Sequence, residues 1–212
     1  MKVALIGASG FIGSTLLDEA VARGHQVTAL VSRPERVAAA PNVIAVRADV
    51  NDTAALAQQL KGHDAVITAF SGHAQADTYD YFVAGFISIV AAVKRAEIGR
   101  LLVVGGAGSL EVAPGVQVLD TPDFPAAYKQ SAEGARRALD LLKDEPSLNW
   151  TMLSPAALIA PGERTGVFRL GTDQLLVDAQ GQSRISVQDY AVAMIDELER
   201  PAHPRRRFTL AY

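Results

Sequence analysis

Gly7-Ala8-Ser9-Gly10-Phe11-Ile12-Gly13 constrains the fold of this chain more than any other stretch. It follows the short apolar run Lys2 to Ile6 and opens the amphipathic segment Phe11 to Gly24. Between a strand and a helix, glycines spaced G-x-x-G-x-x-G have a steric purpose. A side chain at Gly7 would obstruct the tight turn, and one at Gly13 would push the helix off the strand. One at Gly10 would hold an anion away from the backbone N–H groups at the helix start. The spacing differs by one position from the commonest dinucleotide fingerprint, but its context is the required one. Gly7, Gly10, Phe11, Ile12 and Gly13 are therefore the expected pyrophosphate cradle, with a hydroxyl from Ser9. A purely structural glycine turn is the alternative.

The rest of the chain repeats the same alternation. Short β-rich runs at about 2–6, 26–31, 43–47, 64–69, 100–105 and 148–153 are separated by helical periods at about 11–23, 53–61, 77–97 and 128–143. This predicts an α/β doubly wound parallel sheet with crossover helices. Arg23-Gly24 and Ile98-Gly99 read as helix ends closed by left-handed glycine. After about residue 154 the alternation stops, and Pro155, Pro161, Gly162, Gly166 and Gly171 mark a loop-rich region expected to face a substrate. Ser186-Val187-Gln188-Asp189 has capping-box spacing with aspartate in the acid's place. It opens a helix that Pro201 ends, before a last strand at Arg207 to Leu210. A chain of 212 residues is expected to form one domain, with about 155–212 contributing a substrate-side lobe.

Composition removes several function classes. With 20% charged and 49% hydrophobic residues and a net charge of -3, the chain reads as folded and soluble, without the basic surface that nucleic acid demands. The run Arg205-Arg206-Arg207 reads as a solvated face. There is no cysteine, so disulfides, thiolate metal sites and thiol catalysis are excluded, and the chain fits a reducing cytoplasm. The run Val3 to Ile6 is too short for a signal peptide or a membrane span. No His or carboxylate cluster has metal-ligand spacing, so no metal is expected. The partner expected is a small-molecule electron acceptor, with neither nucleic acid nor membrane.

Three further positions refine the nucleotide. At the end of the second strand, where NAD-binding chains usually place an acid for the ribose diol, this chain has Val31-Ser32-Arg33. A guanidinium there grips a 2′-phosphate, which favours NADP(H) over NAD(H). The alternative is a surface Arg33 paired with Glu35. Asp49-Val50 and Ala69-Phe70-Ser71-Gly72, after the third and fourth strands, are the expected third wall of the cofactor, with Asp49 accepting from the adenine amino group and Ala69 and Phe70 flanking the adenosine. Asp49 serves equally well as a helix-start acid.

GASGFIG, ADVND, LLVVGGAGSL, SPAALIAPGERTG and ISVQDYAVAMIDELERP together resemble the atypical short-chain dehydrogenase/reductase family. More narrowly they resemble its small bacterial NADH-flavin reductase branch, related to the NmrA-like and biliverdin reductase B groups. The resemblance covers nearly the whole chain and implies a single Rossmann domain with a small carboxyl-terminal substrate lobe. It also implies that Ser109 stands at the family's active-site serine, with an ordinary loop hydroxyl as the alternative. Catalytic members of the wider family carry a Tyr-x-x-x-Lys pair in which lysine lowers the tyrosine's pKa. Here Tyr128 is followed at that spacing by Ala132, and Lys129 would point roughly 100° away around a helix. Ser109 and Tyr128 are the candidate catalytic side chains, the second without its usual partner.

A flavin acceptor needs no protein acid, because its own ring carries the charge and water supplies the proton. The expected activity is therefore NADPH-dependent hydride transfer to a flavin, FMN or FAD included, or to a similar planar acceptor such as a quinone. A non-catalytic NmrA-like NADP sensor is the main rival, and an epimerase- or dehydratase-like enzyme a further one. Pro155, with Pro161 and Gly162, would shape a loop over the nicotinamide, and Glu163, Arg164 and Thr165 would meet the substrate or remain a surface loop. His73 reads as solvated, Tyr79, Tyr81 and Phe82 as core or acceptor wall, and Trp150 as a buried strand residue.

Overall fold

The computed structural model describes residues 1–73 and 76–212. Twelve strands are found among them: β1 Lys2–Ile6, β2 Gln26–Val31, β3 Val43–Arg47, β4 Ala65–Thr68, β5 Leu101–Val104, β6 Glu111–Ala113, β7 Val116–Gln117, β8 Trp150–Ser154, β9 Leu158–Ala160, β10 Arg169–Gly171, β11 Arg184–Ser186 and β12 Arg206–Ala211. The helices are α1 Phe11–Ala22, α2 Thr53–Leu60, α3 Thr78–Arg95, α4 Lys129–Lys143 and α5 Val187–Glu199. One sheet runs β10-β12-β8-β5-β4-β1-β2-β3, with β10 antiparallel to β12 and the other pairings parallel. The order reverses between β1 and β4, which makes this a doubly wound Rossmann sheet with its crevice at that switch point.

The alternation of side chains along β1 separates the two halves of the core. Val3 and Leu5 pack with Leu16 of α1 and with Tyr190 and Met194 of α5. Ala4 and Ile6 face the opposite way, among Leu56 of α2, Phe86 of α3 and Leu139 of α4. Local chemistry starts the helices where the apolar period begins. The Asp52 side chain accepts from the Ala55 N–H at 3.0 Å, Asp77 from Asp80 at 3.3 Å, and Ser186 from Asp189 at 2.9 Å, each satisfying an amide that the helix itself cannot.

Three expectations need correction. Gly24 closes α1 in the left-handed region at φ 79, but Gly99 does not close α3 in that way. That helix ends at Arg95 with Ala96 as its cap, so the left-handed position falls on Glu97, φ 56. The stretch after residue 154 is not only loop, because β9 pairs with β11 and β10 adds to the main sheet. The arginine run is not one solvated face. β12 lies between β8 and β10, and Arg207 is buried, its Nε donating to Asp173 at 2.9 Å.

Candidate active site

The glycine turn is built from backbone contacts that exclude side chains. Gly7, at φ 82, donates its N–H to the Leu30 carbonyl at 3.0 Å, tying the ends of β1 and β2 together. A Cβ on Gly13 would stand 2.0 Å from the Gly7 carbonyl oxygen, so α1 packs on the turn only because that position has none. A Cβ on Gly10 would meet nothing nearer than the same oxygen at 3.3 Å. Gly10 caps α1 without any side-chain hydrogen bond, and the first turn holds no acid. The amides of Phe11, Ile12 and Gly13 therefore carry the partial positive charge of an uncapped helix start, a fit for a dinucleotide pyrophosphate.

The strand ends then bring the neighbouring segments into place. The Ala69 N–H donates to the Ile6 carbonyl at 2.8 Å, and the Gly105 N–H donates to the Leu153 carbonyl at 2.8 Å. A cleft of about 640 Å³ opens along the carboxyl ends of β1, β4, β5 and β8. Of the expected site residues, Gly10, Phe11, Ile12, Gly13, Ala69, Phe70, Ser71, Tyr128 and Pro155 line it, and so does His73. Phe82 also lines it, stacked on Phe70 with ring centroids 5.8 Å apart, while Tyr81 tilts against Phe70 at 5.6 Å.

The other expected residues stand outside that cleft. Gly7 and Ser9 lie in the turn beneath it. Arg33 is exposed at the end of β2, and among the described residues it forms no ion pair with Glu35. The Ala48 N–H donates to the Val31 carbonyl at 2.9 Å, which sets Asp49 beside the end of β2. Asp49 accepts from the Asn51 N–H at 2.9 Å, and the cap of α2 is Asp52 instead. Val50 is turned into the core under α3. Ser109 is buried and does not line the cleft, and its Oγ accepts from Arg207 at 3.0 Å. That hydroxyl is engaged in joining the turn at 107–109 to β12, which removes it from the acceptor.

Tyr128 is 62% exposed in the cleft wall. One helical turn on, the methyl of Ala132 lines the same wall, where a catalytic pair would need an ammonium group. Lys129 is exposed but not part of the lining.

The expected substrate loop is strapped elsewhere. Arg164 donates to the Glu19 carboxylate from Nε and from its terminal nitrogen, at 2.7 Å each. With Arg23 adding a further bond at 2.8 Å, these contacts hold the Glu19 carboxyl below its ordinary range against the opposing effect of burial. The Thr165 hydroxyl donates to Asp189 at 2.6 Å, and the Glu163 carbonyl accepts from the Ser186 hydroxyl at 2.8 Å. Pro161 and Gly162 do not line the cleft. The outer wall comes instead from the connection between β5 and α4, through Val118, Thr121, Asp123, Phe124 and Pro125. Sequence reading passed over this segment. Its signal was length, since a connection this long between strand and helix usually carries function.

A doubly wound sheet with a glycine cradle at its switch point defines a dinucleotide-binding Rossmann protein. The sequence profile of the NAD(P)H-binding family matches residues 7–198, and the chain belongs to that family. It is similar over its whole length to three solved structures. A candidate epimerase from Bacteroides thetaiotaomicron is 44% identical with a TM-score of 0.94, covering 100% of this chain and 96% of that one. A candidate exported protein from Burkholderia pseudomallei is 47% identical with a TM-score of 0.91, covering 100% of both chains. A candidate NADH-flavin reductase from Streptococcus pneumoniae is 37% identical with a TM-score of 0.85, covering 100% of this chain and 99% of that one. The fold agrees across the three, while the descriptions attached to them differ. None of the described helices is long and apolar enough to cross a membrane.

Proposed function

We propose that this protein is an NADPH-dependent oxidoreductase that passes hydride to a flavin or a similar planar acceptor such as a quinone. One observation carries the reading: the cleft joins a pyrophosphate cradle to an apolar wall in which Ala132 replaces the partner a tyrosine acid requires. When bound, reduced nicotinamide supplies a hydride, and the acceptor's remaining proton comes from solvent. The chain's own contribution is orientation. The amides at the start of α1 would hold the pyrophosphate, Arg33 the 2′-phosphate and Asp49 the adenine amino group. Phe70, Phe82 and Pro155, all in the lining, would exclude water from the nicotinamide and acceptor rings and help orient them.

The test is steady-state NADPH oxidation with a panel of flavins, quinones and aldehydes, comparing wild type with Tyr128→Phe. An operating tyrosine acid contributes about 10²–10⁴-fold. The expected change for this substitution with a flavin is less than about tenfold, or about 1.4 kcal/mol in the barrier. A thousandfold loss, or efficient aldehyde reduction by wild type, would return the chain to the carbonyl reductases. Tight NADPH binding with no turnover of any acceptor would favour the second reading, a nucleotide sensor, to which the same Ala132 also points. The absence of cysteine fits a cytoplasmic enzyme, and cell fractionation decides between cytoplasm and export.

A further inference from the structure

The charge inventory of the cleft narrows the acceptor. Among the described residues that line it there is no lysine or arginine; one imidazole, His73, follows β4, and one carboxylate, Asp123, stands on the outer wall beside Phe124 and Pro125. Two cations of α4 stand near the lining without joining it: Lys129, next to Tyr128, is exposed, and Arg136 is already neutralised. Arg136 donates to both Asp120 oxygens at 2.8 and 3.0 Å and to Glu133 at 2.7 Å. The positive helix start of α1 lies at the cradle end, where a dinucleotide would use it.

We infer, resting on the proposed function, that the physiological acceptor is a planar ring system without a phosphate or other anionic group, so that riboflavin or a neutral quinone fits and FMN, FAD or a nucleotide sugar does not. A phosphorylated acceptor would bring a second anion beside bound NADPH. It would lose hydration there with no lysine or arginine in the lining to replace it, and it would meet the Asp123 carboxylate. An uncharged ring has no ionic group to desolvate, and Val118, Phe124, Pro125 and Ala135 provide an apolar wall for its faces. The redox step is the same for riboflavin and FMN, since both carry the same isoalloxazine ring. The reduced nicotinamide gives up a hydride, the ring takes it together with one solvent proton, and oxidised nicotinamide and dihydroflavin result.

That shared ring makes the test selective. kcat/KM is measured for riboflavin, menadione, FMN and FAD at low ionic strength, and the affinity of NADP⁺-loaded protein for riboflavin and FMN is measured by flavin fluorescence. The expected result is a preference of about tenfold or more for riboflavin over FMN that shrinks with added salt, because exposed charges are screened within about 10 Å at 0.1 M. Asp123→Asn should narrow the ratio, and Asp123→Lys should bring FMN to parity or beyond. The relative rates of menadione and riboflavin identify which uncharged ring the wall prefers. FMN turnover equal to or faster than riboflavin would overturn this inference and leave the oxidoreductase reading intact. If FMN were favoured and that advantage vanished in Lys129→Ala, the exposed lysine beside Tyr128 would be the phosphate's partner. If no acceptor turned over, the oxidoreductase reading would fail, and the two fluorescence affinities would still judge the charge rule. Equal affinities, or no binding of either flavin, would overturn it.

Discussion

Single residues in the glycine turn have separable duties. Gly13 is required by packing, because the atom added by Gly13→Ala would stand 2.0 Å from a backbone oxygen that cannot move without opening the turn. That variant is expected to lose more than about 3 kcal/mol of stability, at or beyond the upper end for overpacking. Gly10 has an extended backbone, and an added methyl would make a tight but far less severe contact with the same oxygen at 3.3 Å. Gly10→Ala is expected to lose much less stability than Gly13→Ala while losing about tenfold or more in affinity for both NADPH and NADH, as a methyl would cover the amides offered to the pyrophosphate. Normal binding by folded Gly10→Ala would mean that the cradle is elsewhere. Arg33 acts on one nucleotide only. Loss of a charge-assisted contact costs roughly 1.5–3 kcal/mol, so Arg33→Ala is expected to weaken NADPH about 10- to 150-fold and leave NADH almost unaffected. Calorimetric titration of both nucleotides checks this, and equal losses would remove Arg33 from the site.

At the level of elements, the start of α5 is where the strapped loop, the last residue and the helix cap meet. Asp189 is fully buried. Burial alone would raise its carboxyl, but it accepts from the Thr165 hydroxyl at 2.6 Å, the Gly166 N–H at 2.8 Å and the Tyr212 hydroxyl at 2.7 Å, and the net effect is a lowered pKa. A folded-state value below the ordinary 3.8 stabilises the protein fully above that pH and ceases to do so as pH falls through the folded value. Asp189→Asn is expected to cost about 1–3 kcal/mol at pH 7, the scale for disrupting buried hydrogen bonds. For a domain of this size that is roughly 2–4 °C of melting temperature per kcal/mol. The gap should hold down to about pH 4 and narrow as melts are repeated at successively lower pH, whereas a constant gap would show that the carboxylate's charge is not what holds the loop. The capping-box spacing at 186–189 located the helix start correctly. Only the fold shows that its acid turns away from the Ser186 N–H, which donates to the Tyr212 hydroxyl at 3.2 Å instead.

Across the whole molecule, the strand order does the assembling. Placing β4 beside β1, and then β5 and β8, aligns four connections at one edge of the sheet, so residues near 10, 70, 105, 125 and 155 share a single cleft. At the opposite edge, Arg100, just before β5, pairs with Glu197 near the end of α5 at 2.7 Å, both side chains almost wholly buried. Glu197 also accepts from the His203 N–H at 3.0 Å and the Ala202 N–H at 3.1 Å, which fixes the approach of the chain to β12. Buried ionic contacts therefore tie the edge away from the cleft, whereas the ion pairs of Arg136 near the cleft stay outside a lining of backbone turns and mostly apolar side chains.

Period and spacing, properties of neighbouring residues, were enough to determine the alternating strands and helices, the glycine turn and the cap at Ser186. Each of these follows from contacts made within a few residues along the chain. What only the tertiary structure decided depends on residues far apart in sequence. Ser109 looked like an acceptor ligand until Arg207, at the other end of the chain, was found to occupy its hydroxyl. Arg164 looked like a substrate contact until it was found bonded to Glu19 across 145 positions. The outer wall of the cleft carries no periodic signal, because an irregular segment takes its shape from the surface it covers. For such residues the identity of the side chain leaves several partners open, and the packing of the sheet and helices selects one.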